Sequence, residues 1–191
     1  MKFEDYILGR DRKFYLICLA GLVLFIVLLG WLVWGSTRWR TQIATSGSYS
    51  VQVPMLWHVR TYRGGYRSWP ELSLQKDNTF WSNGSFWILQ EEKDNAVLEA
   101  AVTWGEILIE RQNGFDISDV EETTIGDNIP ALRRTYKRRY FNQDYYEVYY
   151  VVSDDTMYAL EFGSKADELE KLNSTFAQIR DSFRFLELRL K

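Results

Sequence analysis

The chain is poor in the side chains that carry most chemistry. Its 191 residues include one cysteine, Cys18, and one histidine, His58. A lone cysteine excludes an intramolecular disulfide and a zinc–thiolate cluster, and a lone histidine excludes a multi-histidine metal site. Beside Trp57, His58 reads as a structural position in an early strand, with general-base work as the lesser alternative. There is no phosphate-cradling glycine motif and no nucleophile elbow. Acidic pairs occur at Glu91-Glu92 with Asp94, at Glu121-Glu122 and at Asp154-Asp155. Adjacent strand residues point to opposite faces, so such pairs do not converge on one ion. Neither sign of charge dominates, with 23 Lys+Arg against 26 Asp+Glu and a net charge of −3. That balance argues against a nucleic-acid partner. These absences predict no catalytic residues, no cofactor and no metal: a protein that is not an enzyme.

What the sequence does contain is one long apolar run. Phe14–Gly35 has 22 residues without a charge or a proline. As a helix it measures about 33 Å, enough to cross a hydrocarbon core of about 30 Å. A buried helix of a soluble protein is rarely apolar on every face for so long. The apolar core of a cleaved signal peptide is shorter, about 7–15 residues. Cys18 sits near the start of the run, where a lipobox cysteine does not lie, and reads as a lipid-facing or packing residue. The run therefore predicts a retained single-pass helix with the lipid bilayer as its partner.

Lys2, Arg10, Arg12 and Lys13 precede the run, whereas only Arg38 and Arg40 follow closely. The bias predicts a cell-membrane protein with a cytoplasmic N-terminus and an extracytoplasmic C-terminal domain. Trp31, Trp34 and Trp39 cluster at the far end, where indoles favour headgroups. The expected organisation is a cytoplasmic tail (1–13), a transmembrane helix (14–35), a polar linker (36–47) and an exported domain (48–191).

Alternating patterns predict strands over Ser48–Val53, Ser85–Glu91, Val120–Ile125, Ala131–Phe141, Tyr145–Val152 and Thr156–Phe162, the last two forming a hairpin through Ser153-Asp154-Asp155. Spacings of three and four predict a helix over Ala96–Gln112, capped by Asp94 or Asn95, with Val97, Ala100, Ala101, Trp104, Ile107 and Leu108 inward. Gly105 counts against it. A second helix spans Lys165–Ser182, with Leu169, Leu172, Phe176, Ile179 and Phe183 on one stripe. Strands joined by short turns and broken by two helices give an α+β domain with an antiparallel sheet.

Several of these segments resemble the PsbP/Mog-like α/β family over about residues 48–186. The opening strand runs into Pro54 and Trp57. The loop-to-strand segment Gly126–Tyr136 follows, then Tyr149-Tyr150-Val151-Val152, Met157–Phe162 and the closing Asp181-Ser182-Phe183-Arg184-Phe185. The resemblance implies a binding-type scaffold without a common active site.

The sharpest surface feature is Arg133-Arg134-Thr135-Tyr136-Lys137-Arg138-Arg139-Tyr140. As a docking surface, Arg133, Arg134, Lys137, Arg138 and Arg139 would meet an acidic partner. As a strand, the run puts Arg134, Tyr136 and Arg138 on one face, and cross-strand pairing with Asp144, Glu147 or Glu161 is the plainer reading. The function expected is a membrane-anchored interaction or accessory module with a protein partner in or near the membrane. The alternative is an extracytoplasmic domain binding a small molecule or lipid, which a deep apolar pocket would favour.

Overall fold

The computed structural model describes the backbone of residues 3–36, 38–61, 70–76, 83–138 and 145–186, with side chains from residue 14 onward except 35 and 36. It divides into two units, Met1–Arg38 and Trp39–Lys191. The first is a single helix, α1 (Phe3–Ser36). Its stretch Phe14–Trp34, 21 residues, is long and apolar enough to cross a membrane, and none of it is buried. Leu24 and Trp31 are 61% and 66% exposed. Such a surface is stable against lipid and costly against water.

The second unit begins earlier than the sequence predicts. Trp39–Ile43 forms a strand, β1, within the segment read as a polar linker. It pairs antiparallel with β2 (Tyr49–Pro54) from Trp39↔Pro54 to Ile43↔Ser50. The segment is polar because an edge strand shows one side to water, which a composition reading takes for a tether. The remaining strands are β3 (His58–Thr61), β4 (Leu72–Gln75), β5 (Gly84–Glu92), β6 (Gly114–Phe115), β7 (Glu121–Ile125), β8 (Ile129–Arg138), β9 (Tyr145–Ser153), β10 (Thr156–Ser164) and β11 (Arg184–Phe185). A small sheet has the order β1-β2-β11, and the large one runs β3-β4-β5-β10-β9-β8, with β6 and β7 sharing the outer edge of β8.

All these pairings are antiparallel, and β10 is bracketed by β5 and β9 along its whole length. Its alternation therefore sorts the core. Tyr158, Leu160 and Phe162 face the small sheet and α3 (Leu169–Asp181), packing with Tyr49, Val51, Phe176, Ile179 and Phe183. Met157 and Ala159 face α2 (Leu98–Arg111), packing with Leu89, Trp104, Leu108, Tyr146 and Tyr150. The large sheet is thus covered on both sides.

Two details of α2 differ from expectation. Its N-cap is Val97, which offers no side-chain bond. Asn95 instead sits in a left-handed turn (φ 53°), its N–H bonded to Asp155 Oδ1 at 3.0 Å. The buried stripe is also rotated, so that Val97 and Ile107 face solvent while Gly105 faces the sheet. A Cβ at Gly105 would lie 2.2 Å from Tyr150 Cε1. The glycine that weakens the helix in sequence is what lets the helix approach the tyrosine.

Candidate functional site

The cationic run lies on β8, and alternation divides it. Arg133 and Lys137 take one face, Arg134, Tyr136 and Arg138 the other, and Arg139 lies outside the described residues. On the first face Arg133 bridges Glu121 Oε2 of β7 at 2.6 Å and Glu147 Oε1 of β9. Burial opposes its charge, yet the Glu147 and Glu121 carboxylates more than offset that and raise its pKa above the usual guanidinium range. Lys137 Nζ meets Asp116 Oδ2 at 2.6 Å. On the second face Arg134 reaches Glu106 of α2 at 2.9 Å. The strand's cations are matched by the protein's own carboxylates.

Arg138 leaves the predicted docking set altogether, because it is only 5% exposed. Its Nη2 donates to Glu161 Oε1 at 2.6 Å and to the Tyr136 hydroxyl at 2.8 Å. That hydroxyl donates in turn to Glu161 Oε2 at 2.6 Å, and the Gln112 side-chain amide lies 3.1 Å away. The guanidinium stands 3.9 Å from the Tyr146 ring centroid, and Tyr146 stacks on Tyr136. Burial is the largest cause pushing the Tyr136 phenol well above its ordinary 10.0, Glu161 adds to it, and Arg138 opposes it. Burial also works against the Arg138 charge, but Glu161 outweighs it and keeps that pKa high. The charged pair here ties β8 to β10 within the sheet, and the Tyr136–Gln112 contact reaches the end of α2.

Glu161 is one of the cross-strand partners expected from the sequence. It is the one charge in the otherwise apolar strand Thr156–Ser164, on the face shared by Met157 and Ala159. Trp87, its partner across β5, has an indole N–H that is buried without a hydrogen-bond partner among the described residues.

At the other end of β10 lies an open groove of about 920 Å³. Tyr158, Phe185 and Leu186 line it together with four carboxylates, Glu92, Asp94, Asp154 and Asp155, and one cation, Lys93. The Asp154-Asp155 turn closes the β9–β10 hairpin as predicted, with Asp154 in the left-handed region (φ 52°). No group of three or more metal-ligating side chains occurs among the described residues. His58 is exposed at the head of β3, opposite Gln75, away from these carboxylates in register.

No family model matches the chain, and no curated protein matches it in sequence. Solved structures do. Cyanobacterial PsbP (CyanoP) from Synechocystis superposes with a TM-score of 0.54 at 10% identity, covering 78% of this chain and 92% of that one. Mog1 gives 0.52 at 12% identity, covering 81% and 99%. LpqN of Mycobacterium tuberculosis, described as involved in cell envelope biogenesis, gives 0.51 at 12% identity, covering 78% and 90%. At such identities the likeness speaks for architecture alone, and it meets the resemblance drawn from Pro54, Trp57 and the later strands. The chain has a PsbP/Mog-like α+β fold preceded by an N-terminal apolar helix.

Proposed function

We propose that this protein is a membrane-anchored, non-enzymatic interaction module, its folded unit held on the extracytoplasmic side as an accessory part of a larger membrane complex. The observation that carries this reading is α1. Twenty-one consecutive helical residues, Phe14–Trp34, are apolar and unburied, and lipid is the environment in which that surface is stable. The Lys/Arg excess before the helix supports the orientation. The scarcity of histidine and cysteine supports a role without catalysis.

The surface that suits a partner is the open groove. Its lining of two aromatic rings and four carboxylates against one lysine complements an extended cationic segment, whereas the cations of β8 are already paired. A groove this open, with carboxylates at its edge, gives a lipid chain little apolar enclosure, which favours the protein-binding reading over a lipid-binding one. The test is purification of the intact chain in mild detergent, followed by size-exclusion chromatography with light scattering. A stoichiometric partner is expected, and Glu92→Lys with Asp94→Lys should release it. A clean monomer from gently solubilised membranes would refute the proposal. Protease treatment of sealed cells checks the orientation: an extracytoplasmic domain is digested and a cytoplasmic one survives.

A further inference from the structure

The turn after β2 has an unusual tip. Trp57 N–H bonds to the Pro54 carbonyl at 3.0 Å, which makes Met55 and Leu56 the two central residues of a tight turn. Such positions favour Gly, Asn, Asp and Ser. Here they hold two large apolar side chains, 48% and 52% exposed. The base of the turn is fixed. Trp57 is buried and packs edge-on against Phe176, and Arg40 Nη2 bonds to the Trp57 carbonyl at 2.9 Å. Met55 and Leu56 are thus displayed by a rigid mount.

Chain connectivity limits where that mount can be. Trp39 follows Ser36, the last residue of α1, by three residues, a reach of at most about 11 Å. Pro54 is the register partner of Trp39, about 5 Å from it across the ladder. The turn therefore begins within roughly 20 Å of the end of the apolar helix whatever the orientation of the folded unit. Arg38 and Arg40 fall in the same short stretch, where cations meet phospholipid headgroups.

We propose that the Met55-Leu56 turn is a second, shallow membrane contact, seating the folded unit on the bilayer that α1 crosses, with phospholipid as its ligand. This rests on the anchor reading and adds to it. The apolar tips enter the headgroup–acyl boundary, the depth at which interfacial side chains settle, and the adjacent arginines meet the phosphates. Ile43 is the internal control. It is 55% exposed and equally apolar, but it lies at the far end of β1, about 13 Å further along the strand.

The test uses the full chain with Cys18→Ser, labelled with an environment-sensitive fluorophore through Leu56→Cys or, separately, Ile43→Cys. Each is reconstituted in nanodiscs of phosphatidylcholine with one quarter phosphatidylglycerol, with spin-labelled lipid as quencher. The label at position 56 should shift to the blue and be quenched about twofold or more, as for a group about 5 Å below the headgroup boundary. The label at position 43 should stay unquenched. Equal, weak quenching at both positions in chains that remain in the discs overturns the seat alone. A chain that fails to enter discs, and is stripped from native membranes by alkaline carbonate, overturns the anchor reading itself. Unchanged circular dichroism of the Leu56→Cys variant separates loss of contact from loss of fold.

Discussion

Replacing Glu161 by glutamine tests the internal role of the cationic strand most directly. The change keeps the shape and an acceptor for Tyr136 but removes the charge opposite Arg138, which is only 5% exposed. Breaking a buried ion pair by neutralising one partner costs about 3–5 kcal/mol, because the other charge stays buried. With a urea dependence of about 2 kcal/mol per molar for a domain of this size, the midpoint should fall by about 2 M. The assay is urea unfolding of residues 39–191, a unit with its own two-sided core, followed by tryptophan fluorescence. Arg133→Ala, whose guanidinium is partly open to water, should stay within about 1 kcal/mol of the parent. The double replacement Arg138→Met with Glu161→Leu should recover most of the loss, since an apolar pair of similar volume replaces a desolvated one. A Glu161→Gln variant within about 1 kcal/mol of the parent would refute the reasoning. It would mean that Arg138 reaches water, and the basic strand would again stand as a docking surface.

Three further outcomes follow from the same packing. Gly105→Ala should destabilise by about 1–3 kcal/mol despite the better helix propensity of alanine, and trimming Tyr150 to leucine should return part of the loss in thermal melts. Burial is the first cause raising the phenol pKa values of Tyr49, Tyr136 and Tyr150 above the ordinary 10.0. The folded state therefore holds these protons where the unfolded state releases them: stability is complete below about pH 10 and falls as pH rises beyond it, and phenolate absorbance in alkaline titration should appear together with unfolding. Truncation to residues 48–191 should broaden or abolish the cooperative unfolding expected for 39–191, because β2 keeps β11 but loses β1; equal transitions would return 39–47 to a linker role.

Much of the architecture was legible in the apolar pattern of each element. The central strands β9 and β10 read as apolar and aromatic runs because both of their faces are covered, and α3 shows one dry side in Leu172, Phe176 and Ile179, its buried stripe. Elements held by distant partners were not legible. Trp39–Ile43 lacks a strand pattern of its own and becomes a strand because β2 is there to pair with it. The turn that precedes α2 is held by the Asn95 N–H bonded to the Asp155 carboxylate across 60 residues, which no local cap reading contains. The site divided in the same way. The split of Arg133 to Arg138 between two faces follows from periodicity alone. The burial of Arg138 does not, since a strand cation usually faces water, and its partner lies 23 residues away. The lone charge at Glu161 was the available clue.

The first strand has a consequence of a mechanical kind. A load carried along the chain from α1 enters the folded unit at Trp39. β1 is an edge strand with one neighbour, β2, and its ladder begins at Trp39↔Pro54. A pull across the sheet opens that pair first and then the next, one at a time, while a pull along the strand loads the whole ladder at once. The direction of tension thus decides whether β1 acts as a zipper or as a clamp. In the first case the chain between α1 and the folded unit lengthens by unpairing β1, at the expense of the small sheet.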